Sequence, residues 1–367
     1  LVKPQGMLQF TLDDTLVRRY GKHVSMKGRY HDAVRSRGRY KVNTTGVRWL
    51  SLQLLCAVSW ARRLWSLPLL TIPCLTEKSC QQQGLRHRSM EAQSCLILKL
   101  LRRWLPEHDI MLLADGGFVS ARLFKQAEAS QVCLVSRSRS DLCLFDPPAP
   151  QPQGKRGPKP KKGKQQPSLK DRFEQGSLGF SRCSLSWFRH SCIDINLATG
   201  TSRWYRDGVD PIDVRWFIIT SLDASFKPAF FIASYHDAYS AQQLAQAYQL
   251  RWNCEVTFHE LRQHLGLETQ RHWSHSAMTR ITPLIFGLYT LVTLIASDLK
   301  LNLPRFQATW YQPDDHPDHT FHDILAAVRT YLWHRRLNYS DSFYDPTTLL
   351  IPKHQLDDLL SSLAFAA

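Results

Sequence analysis

Five apolar residues in a row, Ile110 to Ala114, followed at once by Asp115-Gly116-Gly117, constrain the fold of this chain more tightly than any other segment. A strand without polar alternation has both faces buried, which calls for helices on both sides of its sheet. The flanking sequence supplies them. Residues 89–104 open on a serine suited to capping a helix and place Leu96, Leu100 and Leu101 along it, and residues 120–130 form a second helical pattern. Residues 132–135 are again wholly apolar. Helix and strand alternating in this way predict an α/β layer fold.

Upstream, Leu8, Phe10 and Leu12 alternate with Gln9 and Thr11 and run into Asp13-Asp14, with Asp14 continuing the parity of the apolar residues. A basic loop spans residues 18–41, and residues 47–58 and 64–75 predict two further strands. From residue 146 the character changes: Pro147, Pro148, Pro150, Pro152, Pro158, Pro160 and Pro167 interleave with Lys155, Arg156, Lys159, Lys161, Lys162 and Lys164. This segment is an exposed arm or linker. Residues 173–214, polar and turn-rich with Trp187, Trp204 and Tyr205, predict a small irregular β insertion. Strand signals return at 215–220 and 228–234, and the chain is mainly helical from residue 240, with breaks near Pro304 and at 313–317.

Lys and Arg number 47 against 31 Asp and Glu, a formal net charge of +16. Such a surplus suits a polyanionic partner, nucleic acid first and an anionic membrane surface second. Wholesale disorder is excluded by 43% apolar and only 21% charged residues. The longest apolar run, 281–297, is broken by Thr282, Pro283, Gly287, Thr290 and Thr293 and falls short of the roughly 20 residues that span a bilayer, so it reads as a buried helix. No basic and apolar leader opens the chain, which points to a cytoplasmic protein. Its nine cysteines form no C-x-x-C pair and read as reduced thiols.

The chemistry concentrates in the predicted helix over residues 241–265. At 100° per residue Tyr248, Arg251, Glu255 and Arg262 share a stripe about 60° wide, beside an apolar stripe of Leu250, Cys254, Phe258, Leu261 and Leu265. By spacing alone Arg251 and Glu255 are equally a solvated i, i+4 pair worth about 0.3–0.5 kcal/mol. Asp14 and Asp115, each at a strand end, change the weighing. Two strand-end acids converging with a helix acid bind Mg²⁺ or Mn²⁺, and two such ions about 3.5–4 Å apart activate water and stabilise the leaving oxygen of a phosphodiester.

Asp14-Thr15 after an apolar strand, the turn Asp115-Gly116-Gly117-Phe118, and Tyr248, Arg251 and Glu255 with a basic residue seven positions on resemble the DDE insertion-sequence transposases that carry a tyrosine-arginine-glutamate-lysine signature. Arg262 stands where that signature has lysine. The resemblance implies an RNase H-like mixed sheet flanked by helices, with a β-rich insertion before the helix of the catalytic glutamate and a helical C-terminal region. Residues 1–145 and 215–300 would form the two parts of this core, 146–214 the arm and insertion, and 301–367 the helical region. Asp14, Asp115 and Glu255 would hold Mg²⁺ or Mn²⁺. Tyr248, Arg251 and Arg262 would contact phosphates, so that hydrolysis at the element's end is followed by attack of the freed 3′ hydroxyl on target DNA.

Double-stranded DNA is then the partner, both element ends and target, engaged by a homodimer in a cytoplasmic, nucleoid-associated complex without membrane. Lys155, Arg156 and Lys159 on the arm are candidate phosphate contacts, equally a solvated linker. Trp252, within the signature, suits either DNA contact or packing, and Trp187, Trp204 and Trp216 suit base stacking or, more often, a core. Only thirteen residues precede Asp14, where related proteins carry a DNA-binding domain. The alternative reading is therefore a catalytically decayed or repurposed basic DNA-binding protein.

Overall fold

The computed structural model of the chain describes residues 6–149, 160–187, 190–223, 226–234, 238–300, 303, 318–339 and 353–364. The first strand, β1 (Leu8–Arg18), continues well past the apolar alternation that announced it. After the short β2 (Gly28–His31) come the long β3 (Asn43–Cys56) and β4 (Trp65–Cys74). Two helices follow, α1 (Glu77–Gln82) and α2 (Met90–Trp104), the latter capped by Ser89, whose hydroxyl accepts the Ala92 N–H. The α/β alternation then runs through β5 (Ile110–Ala114), α3 (Ala121–Ala129) and β6 (Val132–Arg137). Every residue of β5 is buried.

Past the arm and α4 (Leu169–Glu174), four strands form antiparallel hairpins: β7 (Ser181–Trp187), β8 (His190–Arg206), β9 (Val209–Ser221) and β10 (Ala229–Ser234). The chain turns helical with α5 (Ala241–Tyr248), α6 (Trp252–His264), α7 (His275–Asp298), α8 (Phe321–Tyr339) and α9 (Lys353–Ala364).

Among the described residues all ten strands belong to one sheet of order β2-β3-β1-β5-β6-β10-β9-β8-β7, with β4 continuing the β2 edge along β3. β3 runs antiparallel to both β1 and β4, whereas β5 and β6 run parallel to β1, an arrangement consistent with an RNase H-like fold. The segment expected to be an irregular insertion differs from that expectation. β8 and β9 pair over most of their length and join the central sheet through β10. The strand signal at 215–220 marks the part of β9 buried on both faces, while the polar and turn-rich residues before it hid the length of β8 and the start of β9.

The sheet divides two helical layers. Leu8, Phe10 and Leu12 of β1 face α2 and α3, packing with Leu98, Leu101, Leu123 and Phe124. On the other face α5 covers Met111, Leu113, Phe217 and Phe231, while α6, α7 and α8 cover Val47, Trp49, Trp65 and Leu67. Trp204 and Trp216, candidates for base stacking, are core residues. Trp204 meets Phe124 edge-on at 5.4 Å, and the Trp216 Nε1 donates to the Ser202 hydroxyl at 3.0 Å.

Gly46 lets β3 approach β1 at the end that leads into the basic loop. A Cβ there would stand 2.4 Å from the Val17 carbonyl oxygen and 3.1 Å from the Arg18 Cα, both backbone atoms that cannot rotate away. Gly46→Ala is expected to cost about 1–3 kcal/mol, as overpacking does, read as a lower urea midpoint at unchanged slope; an unchanged midpoint would show that the pairing yields freely.

Candidate active site

A 3-10 turn inside a helical run positions the site. α5 ends at Tyr248, a single 3-10 turn spans Gln249–Arg251, and α6 starts at Trp252. The backbone stays in the right-handed helical region through Tyr248, Gln249, Arg251 and Trp252, as the sequence pattern over 241–265 predicts. α5 belongs to the apolar cluster over β5, β6, β9 and β10, α6 to the separate cluster over β3 and β4. The turn between the clusters lies over the polar ends of β1 and β5. Cys254, Phe258 and Leu261 bury the inner face of α6, as their stripe predicts.

That packing directs Arg251 back across the sheet. Its Nη1 donates to the Asp13 Oδ2 at 2.9 Å and its Nη2 to the Glu255 Oε1 at 2.6 Å, with only 13% of the side chain exposed. The guanidinium lies 5.9 Å from the centre of the Tyr248 ring, which packs against Phe231. Burial opposes the Arg251 charge, but Tyr248, Asp13 and Glu255 outweigh it and hold the pKa above its ordinary value.

Asp13, not Asp14, is thus the β1 acid that meets the helix. Successive side chains of a strand point to opposite faces. Thr11, Asp13 and Thr15 share the α6 side: Thr11 bonds Ser66, and Thr15 accepts a hydrogen bond from the Arg262 Nη2. Asp14 falls with Leu8, Phe10 and Leu12 on the other face and pairs with the Arg48 Nε at 3.3 Å. The alternation that identified β1 contained this distinction, because the apolar parity marks the face packed against α2 and α3.

Asp115 directly follows β5, and the register Leu12↔Ala114 sets it beside Asp13 in the parallel pair. Its main-chain carbonyl accepts from the Ser136 hydroxyl at 2.8 Å and from the Phe118 N–H at 2.9 Å. Gly116 lets this turn close onto β6, since a Cβ there would stand 3.1 Å from the Arg137 carbonyl oxygen. Burial, aided by the neighbouring Asp14 and Asp115 and opposed by Arg251, pushes the Asp13 carboxyl up to about 7. Burial and Asp115 raise Asp14 as well, against Arg48.

The remaining candidates differ in their engagement. Arg262 donates to the Glu268 Oε1 at 3.1 Å, to the Phe258 carbonyl at 3.3 Å and to Thr15, contacts that anchor its guanidinium at the surface. Glu268 also receives Arg18 at 3.4 Å. Trp252 is 49% exposed beside the site. Lys155, Arg156 and Lys159 lie outside the described residues. The Arg251 Nε and Gln249 Nε2 are buried donors that find no acceptor among the described residues.

Asp13, Asp115 and Glu255 form the oxygen-only donor set that a hard divalent cation takes. Asp13 keeps a raised proton affinity even beside Arg251, chiefly because it is buried and secondarily because Asp14 and Asp115 are near. Asp13 and Asp115 are oxygen donors of the type a divalent ion takes. Glu255 is held apart by the Arg251 bridge, and among the described residues no three His, Cys, Asp or Glu side chains stand close enough together to hold a metal.

The raised Asp13 pKa has a signed consequence. Between its ordinary value and about 7 the folded chain binds a proton that the unfolded chain releases, so stability falls as pH rises through that window. In metal-free buffer Asp13→Asn is expected to raise the melting temperature by a few degrees at pH 8, about 1–2 kcal/mol, with the gain shrinking as pH falls below about 7 and vanishing only near the ordinary aspartate value of 3.8. A gain independent of pH would contradict the raised pKa.

Residues 1–178 match the family model described as DDE superfamily endonuclease, a segment that contains Asp13, Asp14 and Asp115 and ends before Tyr248. A search of curated proteins finds no match for the chain. The family match supports a DDE-type transposase or endonuclease, an enzyme class acting on DNA and generally dependent on divalent metal.

Proposed function

We propose that this chain is a DDE transposase catalytic domain that cleaves DNA at the ends of an insertion sequence and joins the freed 3′ hydroxyl to target DNA, with Mg²⁺ or Mn²⁺ as cofactor. One observation carries the reading: Arg251 bridges Asp13 on β1 and Glu255 on α6, while Asp115 ends the strand beside Asp13. Acids more than 200 positions apart share one guanidinium where two parallel strands end, the usual place for a site in such a sheet.

In this proposal Asp13, Asp115 and Glu255 hold the metal, Asp13 taking the place the sequence pattern assigned to Asp14. A bound divalent ion would supply activation of water and charge neutralisation at the phosphodiester. Tyr248, Arg251, Trp252 and Arg262 contact the DNA, Trp252 being the most exposed of the four. Lys155, Arg156 and Lys159 extend that contact along the arm. The working unit is a homodimer on two DNA ends, in the cytoplasm, with residues 1–145 and 215–300 as the catalytic core, 146–214 as arm and insertion, and 301–367 as a helical addition.

The basic loop adds a surface for DNA. Nine Lys or Arg lie within residues 18–41 against a single acid, Asp32. Asp32 is buried and committed internally, to Arg18 at 2.9 and 3.2 Å, to the Thr44 hydroxyl at 3.1 Å and to the Arg35 N–H at 3.2 Å. Arg37, Arg39 and Lys41 are left exposed on an anchored scaffold. Replacing these three by alanine is expected to lower the slope of log affinity against log salt by about three, near 0.9 per phosphate contact, as measured by fluorescence anisotropy. An unchanged slope would remove the loop from the interface.

A second reading, a basic DNA-binding protein that has lost its chemistry, draws on the same bridge, because Arg251 keeps Glu255 from the other two acids. Nicking of supercoiled plasmid with Mg²⁺ separates the two. Asp13→Asn, Asp115→Asn and Glu255→Gln are expected to lose about 100-fold or more, while Asp14→Asn stays within about 10-fold. Equal nicking by wild type and Asp115→Ala would leave the binding reading, and loss confined to Asp14→Asn would return the role to that residue.

A further inference from the structure

One face of α7 has no partner among the described residues. Its inner side is anchored: Met278, Phe286, Tyr289, Val292 and Ala296 pack with Trp49, Trp65 and Phe321, and the Thr290 hydroxyl donates to the Pro68 carbonyl at 2.7 Å. Its outer side is a row of leucines, with Leu284 67% exposed, Leu291 53% exposed, and Leu288 and Leu294 also on the surface. The expectation of a buried helix holds for half its circumference only. By length and composition alone it could cross a membrane, but its anchored face ties it to β4 and α8.

Three features of this face specify its occupant. Arg280 and Asp298 are both exposed and take part in no ion pair among the described residues. They lie 18 positions apart, about five helical turns, so they share one side with the leucines between them. Reversing the helix about residue 289 exchanges Arg280 with Asp298, Leu284 with Leu294 and Gly287 with Leu291. Opposite charges thus meet at both ends, and apolar groups meet between them. A surface that complements its own reversed copy is what a two-fold interface requires.

Gly287 is the third feature. A glycine within a helix costs about 1 kcal/mol relative to alanine, and a Cβ here would meet nothing within 4 Å. Among the described residues no contact calls for glycine. A second helix lying close against this face does, because the missing side chain opens a notch in the leucine row.

We propose that α7 is the contact between two copies of this chain, antiparallel and related by a two-fold axis at the height of residue 289, with Leu291 of the partner subunit seated at Gly287. The inference does not depend on the DNA-cleaving reading. A standard interface buries about 800 Å² per partner from 20–30 residues, and one helix face offers fewer, so the dimer is weak and concentration-dependent.

Sedimentation equilibrium of the full chain without DNA at low salt tests it. Wild type is expected to dimerise as concentration rises. Arg280→Asp and Asp298→Arg should each raise Kd about tenfold, since each places like charges at both ends of the seam. The doubly reversed protein should return to within about threefold of wild type. Leu291→Glu and Gly287→Leu should leave a monomer with an unchanged circular dichroism spectrum. Wild type monomeric at all concentrations would overturn the proposal, whether another segment of the chain or a bilayer covers the leucines. So would a dimer indifferent to Leu291→Glu, or a double reversal no better than either single one.

Discussion

Arg251 joins the central strand to the helical layer, together with the bond from Arg262 to Thr15. Its guanidinium spans Asp13 on the central strand and Glu255 one turn further along the helical run. Arg251 and Asp13 are both largely buried, where solvent screening is weak. The 3-10 turn Gln249–Arg251 places the arginine between the cluster under α5 and the cluster under α6.

The same bridge creates a tension between structure and chemistry. Arg251 lowers the proton affinity of Asp13, while burial and the neighbouring acids raise it further, leaving the carboxyl at about 7. An acid poised there is costly to hold ionised and responds strongly to any added positive charge. Such strain is typical of residues kept for function, since a purely structural ion pair stabilises its carboxylate below the ordinary value, as Arg18 and Thr44 do for the buried Asp32. Asp32 and Asp13 lie on adjoining parts of the same unit and show the two outcomes side by side.

Much of this was legible in the residues themselves. Ile110–Ala114 occurs as a fully buried strand, Ser89 and Ser120 cap the helices they precede, and the apolar stripe of Cys254, Phe258 and Leu261 is the buried side of α6. Spacing also placed Arg251 beside Glu255. Two things were not visible. Pairing register decides that Asp13 meets the helix, and although strand alternation separates the two adjacent acids, only the tertiary packing says which face α6 covers. The extent of the sheet was also hidden, because the buried apolar residues of β8 and of the first half of β9 are spaced among polar and turn residues, and cross-strand pairing shows in no single segment.

The layer that carries Glu255 also connects the site to the outer face of α7. Phe258, one turn past Glu255, meets Phe286 of α7 at 6.0 Å, and Tyr289 stacks on Phe321 and Trp65 beneath. Packed aromatic contacts of this kind transmit displacement because the interior has little free volume to absorb it. A body docked against the leucines of α7 would therefore press on the face of α6 opposite to its solvent side. The position of Glu255 relative to Asp13 and Asp115 on the sheet is set by where α6 rests on that cluster, and the packing of α7 is accordingly part of what holds the acid in place.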